Sequence, residues 1–196
     1  MKIIYSYNLS LNDVRSLRGT YEAILGSSIT ETARVTEVFK HFGFDYVTDI
    51  AKMFVKAVEP KREKEISFSE YVHMVSSCCM MGKTELMRFL FGQMDIGQNA
   101  FLKRDQFVTL IEYMAEGSAG GNATVWMMQY DTYKDRKLDS LFFGGFESFC
   151  TKYRAVMWST EMLQQAIRKA NLGPPYWENK MDQFVEQRKA LKVKLV

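Results

Sequence analysis

A chain of 196 residues, 47% hydrophobic and 14% aromatic, is long enough for one domain or two small lobes and too rich in apolar side chains for wholesale disorder. A net charge of +3 excludes a dedicated nucleic-acid binder built on a strongly basic surface. Three prolines against 13 methionines and 14 phenylalanines favour long helices with adaptable apolar faces.

The opening MKIIYSYNLS has too short an apolar run for a secretory signal, and no stretch of about 18 uncharged apolar residues predicts a membrane span. Cys78, Cys79 and Cys150 show no CxxC spacing, so they read as reduced core residues of a cytoplasmic protein. After an N-terminal extension, residues 1–9, the apolar positions Val14, Leu17 and Tyr21 predict a first helix, and VTEVFKHFGF a second. DIAKMFVKAV places Ile50, Phe54 and Val58 on one face, and the polar run EPKREKEISFSE separates it from the helical EYVHMVSSCC. SCCMMGKT comes close to a phosphate-binding loop, but Ser77 replaces its first glycine and a helix rather than a strand precedes it. Next come the helical ELMRFLFGQM, the polar DIGQNAFLKRDQ and the small-residue loop EGSAGGNAT. His41 and His73 fall on predicted helices with no nucleophile–acid arrangement around them, and no catalytic residues are expected.

One period joins these segments. Thr30, Ile66, Leu102 and Leu138 stand 36 residues apart, each followed after five residues by an apolar side chain: Val35, Tyr71, Phe107 and Phe143. The repeating unit is a helix, a polar loop of about a dozen residues with one apolar position, and a second helix.

This pattern resembles the EF-hand, the helix–loop–helix unit of the calmodulin superfamily. The resemblance implies an all-α fold of two EF-hand-pair lobes with short β pairings between loops, residues 10–80 and 86–153, joined by a linker at 81–85. Residues 154–196 then form a C-terminal helical extension. The implied loops are Glu59–Glu70, Asp95–Gln106 and Asp131–Phe142, with a first starting at Glu22 or Ala23. Ile66 would pair with Ile29 or Thr30, and Leu102 with Leu138.

A calcium loop needs six to eight oxygens, commonly including a bidentate glutamate at its twelfth position and a glycine at its sixth. Lys61 and Lys64 intrude on the second loop, although Glu70 holds position 12. The third retains Asp95 and Asn99 but has Gly97, Lys103 and Gln106 where oxygens are wanted. The fourth keeps Asp131, Asp135 and Asp139 as residual metal candidates, yet Tyr133, Arg136 and Phe142 replace a ligand, the turn glycine and the bidentate glutamate. The expectation is no bound metal and no cofactor, with a structural turn held by an Arg136–aspartate cluster and Phe142 turned toward protein.

Beyond the repeats, STEMLQQAIRKANLG predicts a helix capped by Ser159 or Thr160 and ended by Gly173, and Pro174 and Pro175 forbid its continuation. A last helix carries Trp177, Met181, Phe184 and Arg188 about one turn apart. These four, with Lys189, Lys192 and Lys194, are the predicted partner-binding residues, and Trp177 is the expected anchor. The extension either folds back into a lobe or reaches out to a larger assembly. Proteins similar to this, with degenerate EF-hands and helical extensions, are fixed components of ciliary and flagellar microtubule assemblies. The implied function is a non-catalytic structural or adaptor subunit whose partners are proteins, such as acidic tubulin or another cytoskeletal subunit, with no nucleic acid and no membrane. The alternative is a regulatory light chain similar to calcineurin B, clasping an amphipathic helix of an enzyme or motor and retaining one weak calcium or magnesium site in the fourth hand.

Overall fold

The computed structural model describes residues 7–27, 31–45, 47–62, 64–116 and 123–193, with side chains through Gln187. It is mostly helical, with two small antiparallel strand pairs. Two compact units are distinguished. The first comprises the residues up to Val47, Phe54–Gly82 and those from Gln164 onward; the second comprises Thr48–Met53 and Lys83–Leu163. Residues 154–196, expected as one extension, are divided at Leu163.

In the first unit, helix α1 (Leu11–Leu25) starts at a reciprocal cap. The Ser10 hydroxyl accepts from the Asp13 amide, and the Asp13 carboxylate accepts from the Ser10 amide. One turn apart, Leu17 and Tyr21 are fully buried. Strand β1 (Thr32–Arg34) leads into α2 (Val35–His41); α3 (Asp49–Lys56) is counted with the second unit up to Met53 and with the first from Phe54, and after it strand β2 (Glu65–Ser67) pairs back on β1. The central partners are Ala33 and Ile66, so Ala33 takes the place expected of Ile29 or Thr30, which lie outside the described residues. Helix α4 (Phe68–Met80) begins at a second capping box, Ser67 with Glu70, and buries Tyr71, Met74, Val75, Cys78 and Cys79. Residues 77–80 belong to this helix, so SCCMMGKT is a helix end and not a phosphate loop. Burial pushes the Cys78 thiol up to about 12 and Cys79 well above its ordinary value, and all three cysteines are free.

The second unit contains α5 (Lys83–Met94), β3 (Phe101–Leu102), α6 (Arg104–Ala115), α7 (Ala123–Met127), α8 (Tyr130–Tyr133), β4 (Leu141–Phe142), α9 (Phe143–Lys152) and a 3-10 turn, Arg154–Met157. EGSAGGNAT, expected as a flexible loop, falls largely on residues 117–122, outside the described residues. Strand β3 pairs with β4, matching Phe101 to Phe142 and Leu102 to Leu141. Leu138, the expected partner of Leu102, is instead 61% exposed in the preceding turn. The paired positions Ala33, Ile66, Leu102 and Leu141 therefore step by 33, 36 and 39 residues. The cause of the last slip is local: Asp131–Tyr133, read as the start of the fourth loop, stay helical in α8. The loop starts three residues later.

Aromatic rings build this unit's core. Phe149 meets Phe107, Tyr133 and Tyr153 at centroid distances of 5.3, 5.8 and 5.4 Å, and Phe146 at 6.4 Å. Helix α10 (Trp158–Ala170) and helix α11 (Pro174–Val193) complete the chain. The left-handed Leu172 and Gly173 end α10, and Pro174 and Pro175 supply no amide to continue it.

Candidate functional site

One device closes both strand pairs. Tyr21, fully buried, donates its hydroxyl to the Ile66 carbonyl at 2.7 Å and accepts from the Ala33 amide at 3.0 Å. Tyr130, also buried, donates to the Leu102 carbonyl at 3.4 Å and the Asp139 carbonyl at 3.0 Å. In each unit a helix before one loop thus reaches the central carbonyl of the partner loop. These hydroxyls add hydrogen-bond partners for buried backbone groups of the strand pairs.

The loops bind their own acidic side chains. In the second, the Glu70 carboxylate accepts from the Lys61 amide at 3.0 Å, the Ser67 amide at 2.6 Å and the Ser67 hydroxyl at 2.7 Å. Burial alone would raise the Glu70 pKa, but these hydrogen bonds outweigh it and hold the group below the ordinary glutamate range. In the third, the two Asp95 oxygens accept from the Asn99 and Ala100 amides at 2.9 and 2.8 Å. Gln106 folds both ways, accepting from the Lys103 amide at 2.9 Å and donating to the Met94 carbonyl at 2.7 Å. Ala100 stands at φ 64°, the left-handed turn for which glycine is the unstrained residue.

The fourth loop differs from its sequence reading in two ways, and a close approach at Gly145 adds a third feature. The left-handed turn falls on Asp139, φ 47°, and not on Arg136. The cation among the aspartates is Lys134, whose ammonium lies 2.7 Å from Asp131 Oδ1 and 2.5 Å from Asp139 Oδ1, while Arg104 also pairs with Asp131. Hydrogen bonds from Lys134 lower the pKa of Asp131 and of Asp139, and the two carboxylates in turn raise that of Lys134. Asp135 is occupied separately, accepting from the Lys137 and Leu138 amides at 2.9 Å each. Finally, Gly145, in the first turn of α9, meets the end of α8: a Cβ there would stand 2.5 Å from the Tyr133 carbonyl oxygen. Phe142 is 37% exposed, its ring 6.0 Å from that of Phe101 across the strand pair. Among the described residues, no group of three or more His, Cys, Asp or Glu side chains is gathered where it could hold a metal ion.

The C-terminal candidates fall into two sets. Trp177 is fully buried inside the first unit, with its indole N–H donating to the Asn171 carbonyl at 2.6 Å. It anchors the chain to itself in this structure. Met181 and Phe184 are half-buried, and Met181 Sδ lies 3.4 Å from the Arg168 guanidinium. Arg188, Lys189, Lys192 and Lys194 have side chains outside the described residues.

Beside Trp177 is a polar clamp that the sequence reading missed. Gln164 donates to the Cys78 and Met81 carbonyls at 2.7 and 2.9 Å, and Arg168 to Cys79 and Met81 at 2.7 and 3.3 Å. Asn171 accepts from the Tyr71 hydroxyl at 2.5 Å. These bonds satisfy the last carbonyls of α4, and a guanidinium at a helix C-terminus also favours the helix dipole. The signal was present: Gln164, Arg168 and Asn171 recur at helical spacing beside the apolar Leu163 and Ile167.

Apolar side chains on the surface are distributed unevenly. Among the described residues, the large exposed hydrophobic side chains Ile96, Val125, Met128, Leu138, Phe142, Trp158 and Met162 belong to the second unit, and Leu11 and Val185 to the first. Trp126 is buried, whereas Met128 is 67% exposed. No helix among the described residues is long and apolar enough to cross a membrane. No family model matches the chain, and no curated protein matches it.

Proposed function

We propose that this chain is a non-catalytic adaptor of the EF-hand superfamily that works without calcium and binds other proteins constitutively. One observation carries the reading: the loop carboxylates are already bonded to the chain's own amides and to the Lys134 ammonium. A calcium ion would have to displace those partners and the lysine before it found oxygens. In this reading the loops are fixed turns that orient helices, and the ion-driven opening of calcium sensors has no place. The exposed apolar side chains of the second unit supply the outward face. The setting we propose is a ciliary or flagellar microtubule assembly, where the basic C-terminal residues would meet the acidic surface of tubulin.

Affinity capture with the tagged full chain, run once in calcium and once in a calcium chelator, tests the adaptor reading. The same partners should be recovered in both. Partners recovered only in calcium would contradict it. Co-sedimentation with microtubules tests the setting separately, and a chain that stays in the supernatant removes the setting alone.

A second reading is a regulatory subunit similar to calcineurin B that clasps a helix of an enzyme or motor. It is favoured by the first unit's capture of a helix of its own chain. Calcium-dependent recovery of one enzyme partner would select it.

A further inference from the structure

We propose that α11 is a detachable arm, and that the pocket holding Trp177 is a binding site for an indole-bearing helix of a partner protein, kept filled by the chain's own C-terminal helix. The proposal rests on the adaptor reading and names the kind of partner the first unit takes.

Three observations support it. First, α11 spans 20 residues, yet among its described side chains only Trp177 is buried; Met181 and Phe184 are half-buried, and Asp182, Gln183, Val185, Glu186 and Gln187 are exposed. A helix held by one fully buried ring, with the Lys180–Asp13 ion pair and the Met181–Arg168 contact beside it, leaves its seat more readily than one with a continuous buried stripe. Second, α11 is mechanically separate from α10. Leu172 and Gly173 are both left-handed, φ 65° and 84°, and Pro174 and Pro175 block helical continuity. The bonds of Gln164 and Arg168 to the end of α4 are made by α10, so they persist when α11 leaves. Third, the seat is chemically specific. The indole N–H reaches the Asn171 carbonyl at 2.6 Å, and three residues later Lys180 lies 3.7 Å from the Asp13 carboxylate. The matching ligand is therefore a helix with a tryptophan followed at one turn by a lysine or arginine. A phenylalanine would fill the pocket but leave the buried carbonyl unbonded.

Amide hydrogen exchange on the wild-type full chain is the first test. The amides of 177–187 should exchange at least ten times faster than those of 71–79 in α4. Exchange of the two segments together would show that α11 is part of the permanent core and overturn the proposal. The second test adds a fluorescent peptide of residues 172–187 to the full chain carrying Trp177→Ala. The variant should bind this peptide at least tenfold more tightly than the wild type, whose pocket is filled. A peptide with phenylalanine at the tryptophan position should lose most of that gain. Equal binding by variant and wild type, or loss of α4 protection in the variant, overturns the proposal. Calcium-dependent partner capture would contradict the adaptor reading and leave these results unchanged.

Discussion

The two units close their strand pairs alike and finish their helices differently. Tyr21 and Tyr130 each reach from one helix to the central carbonyl of the partner loop. The first unit then covers the end of α4 with Gln164, Arg168 and Trp177 from the C-terminal segment. The second is closed by an aromatic cluster around Phe149 and carries most of the large exposed apolar side chains among the described residues. A similar strand-pair device thus goes with a captured C-terminal segment in one unit and with exposed apolar side chains in the other.

Substitutions can break this comparison unit by unit. The largest effect expected is from Arg168→Ala, which leaves the Cys79 and Met81 carbonyls without their charged donor in a buried site; the cost is about 2–3 kcal/mol. Urea unfolding followed by exchange at α4 should locate this loss in the first unit. Gly145→Ala places a Cβ against the Tyr133 carbonyl, a backbone atom with little room to yield, and should cost about 2 kcal/mol in the second unit. An unaltered midpoint would mean that the α8–α9 contact is loose.

The tyrosine pair separates finer differences. Tyr21→Phe removes three hydrogen bonds, one of them at 2.7 Å, and should cost about 2 kcal/mol; Tyr130→Phe removes two longer ones and should cost about 1 kcal/mol. The reverse order would contradict the account of the strand pairs. Ala100→Gly relieves a left-handed alanine and should stabilise the second unit by about 0.5–1 kcal/mol, read as a higher thermal midpoint.

Acid sharpens the contrast last. The Glu70 pKa is lowered in the folded state, so its contribution is fully present above the ordinary glutamate range and is lost as pH falls through the depressed value. Glu70→Gln should flatten that part of the first unit's pH–stability curve. A curve unchanged by the substitution would show that the cap contributes nothing.

Much of this was legible in the sequence where bonding is local. Ser67 with Glu70 marks the start of α4, and Gly173 with Pro174 and Pro175 marks the break before α11. Ile66 and Leu102 were placed as pairing residues by the 36-residue step, and both lie in the paired strands. The fourth loop offered two, Leu138 and Leu141, and a strict period of 36 selected the wrong one. The period could not reveal that Asp131–Tyr133 stay helical, because a hydrogen bond from the Tyr130 hydroxyl and the ring packing of Tyr133 on Phe149 hold them. The Gln164–Arg168 clamp was missed for a related reason. Its acceptors are backbone carbonyls more than 80 residues away, and side-chain patterns do not encode carbonyl positions.

Calorimetric titration of calcium into the full chain tests the central claim most directly. With the loop carboxylates bonded to amides and to Lys134, no binding heat is expected at free calcium up to about 10⁻⁵ M, the range in which calcium sensors respond. Stoichiometric binding in that range, abolished by Asp131→Ala or Asp95→Ala, would contradict the account.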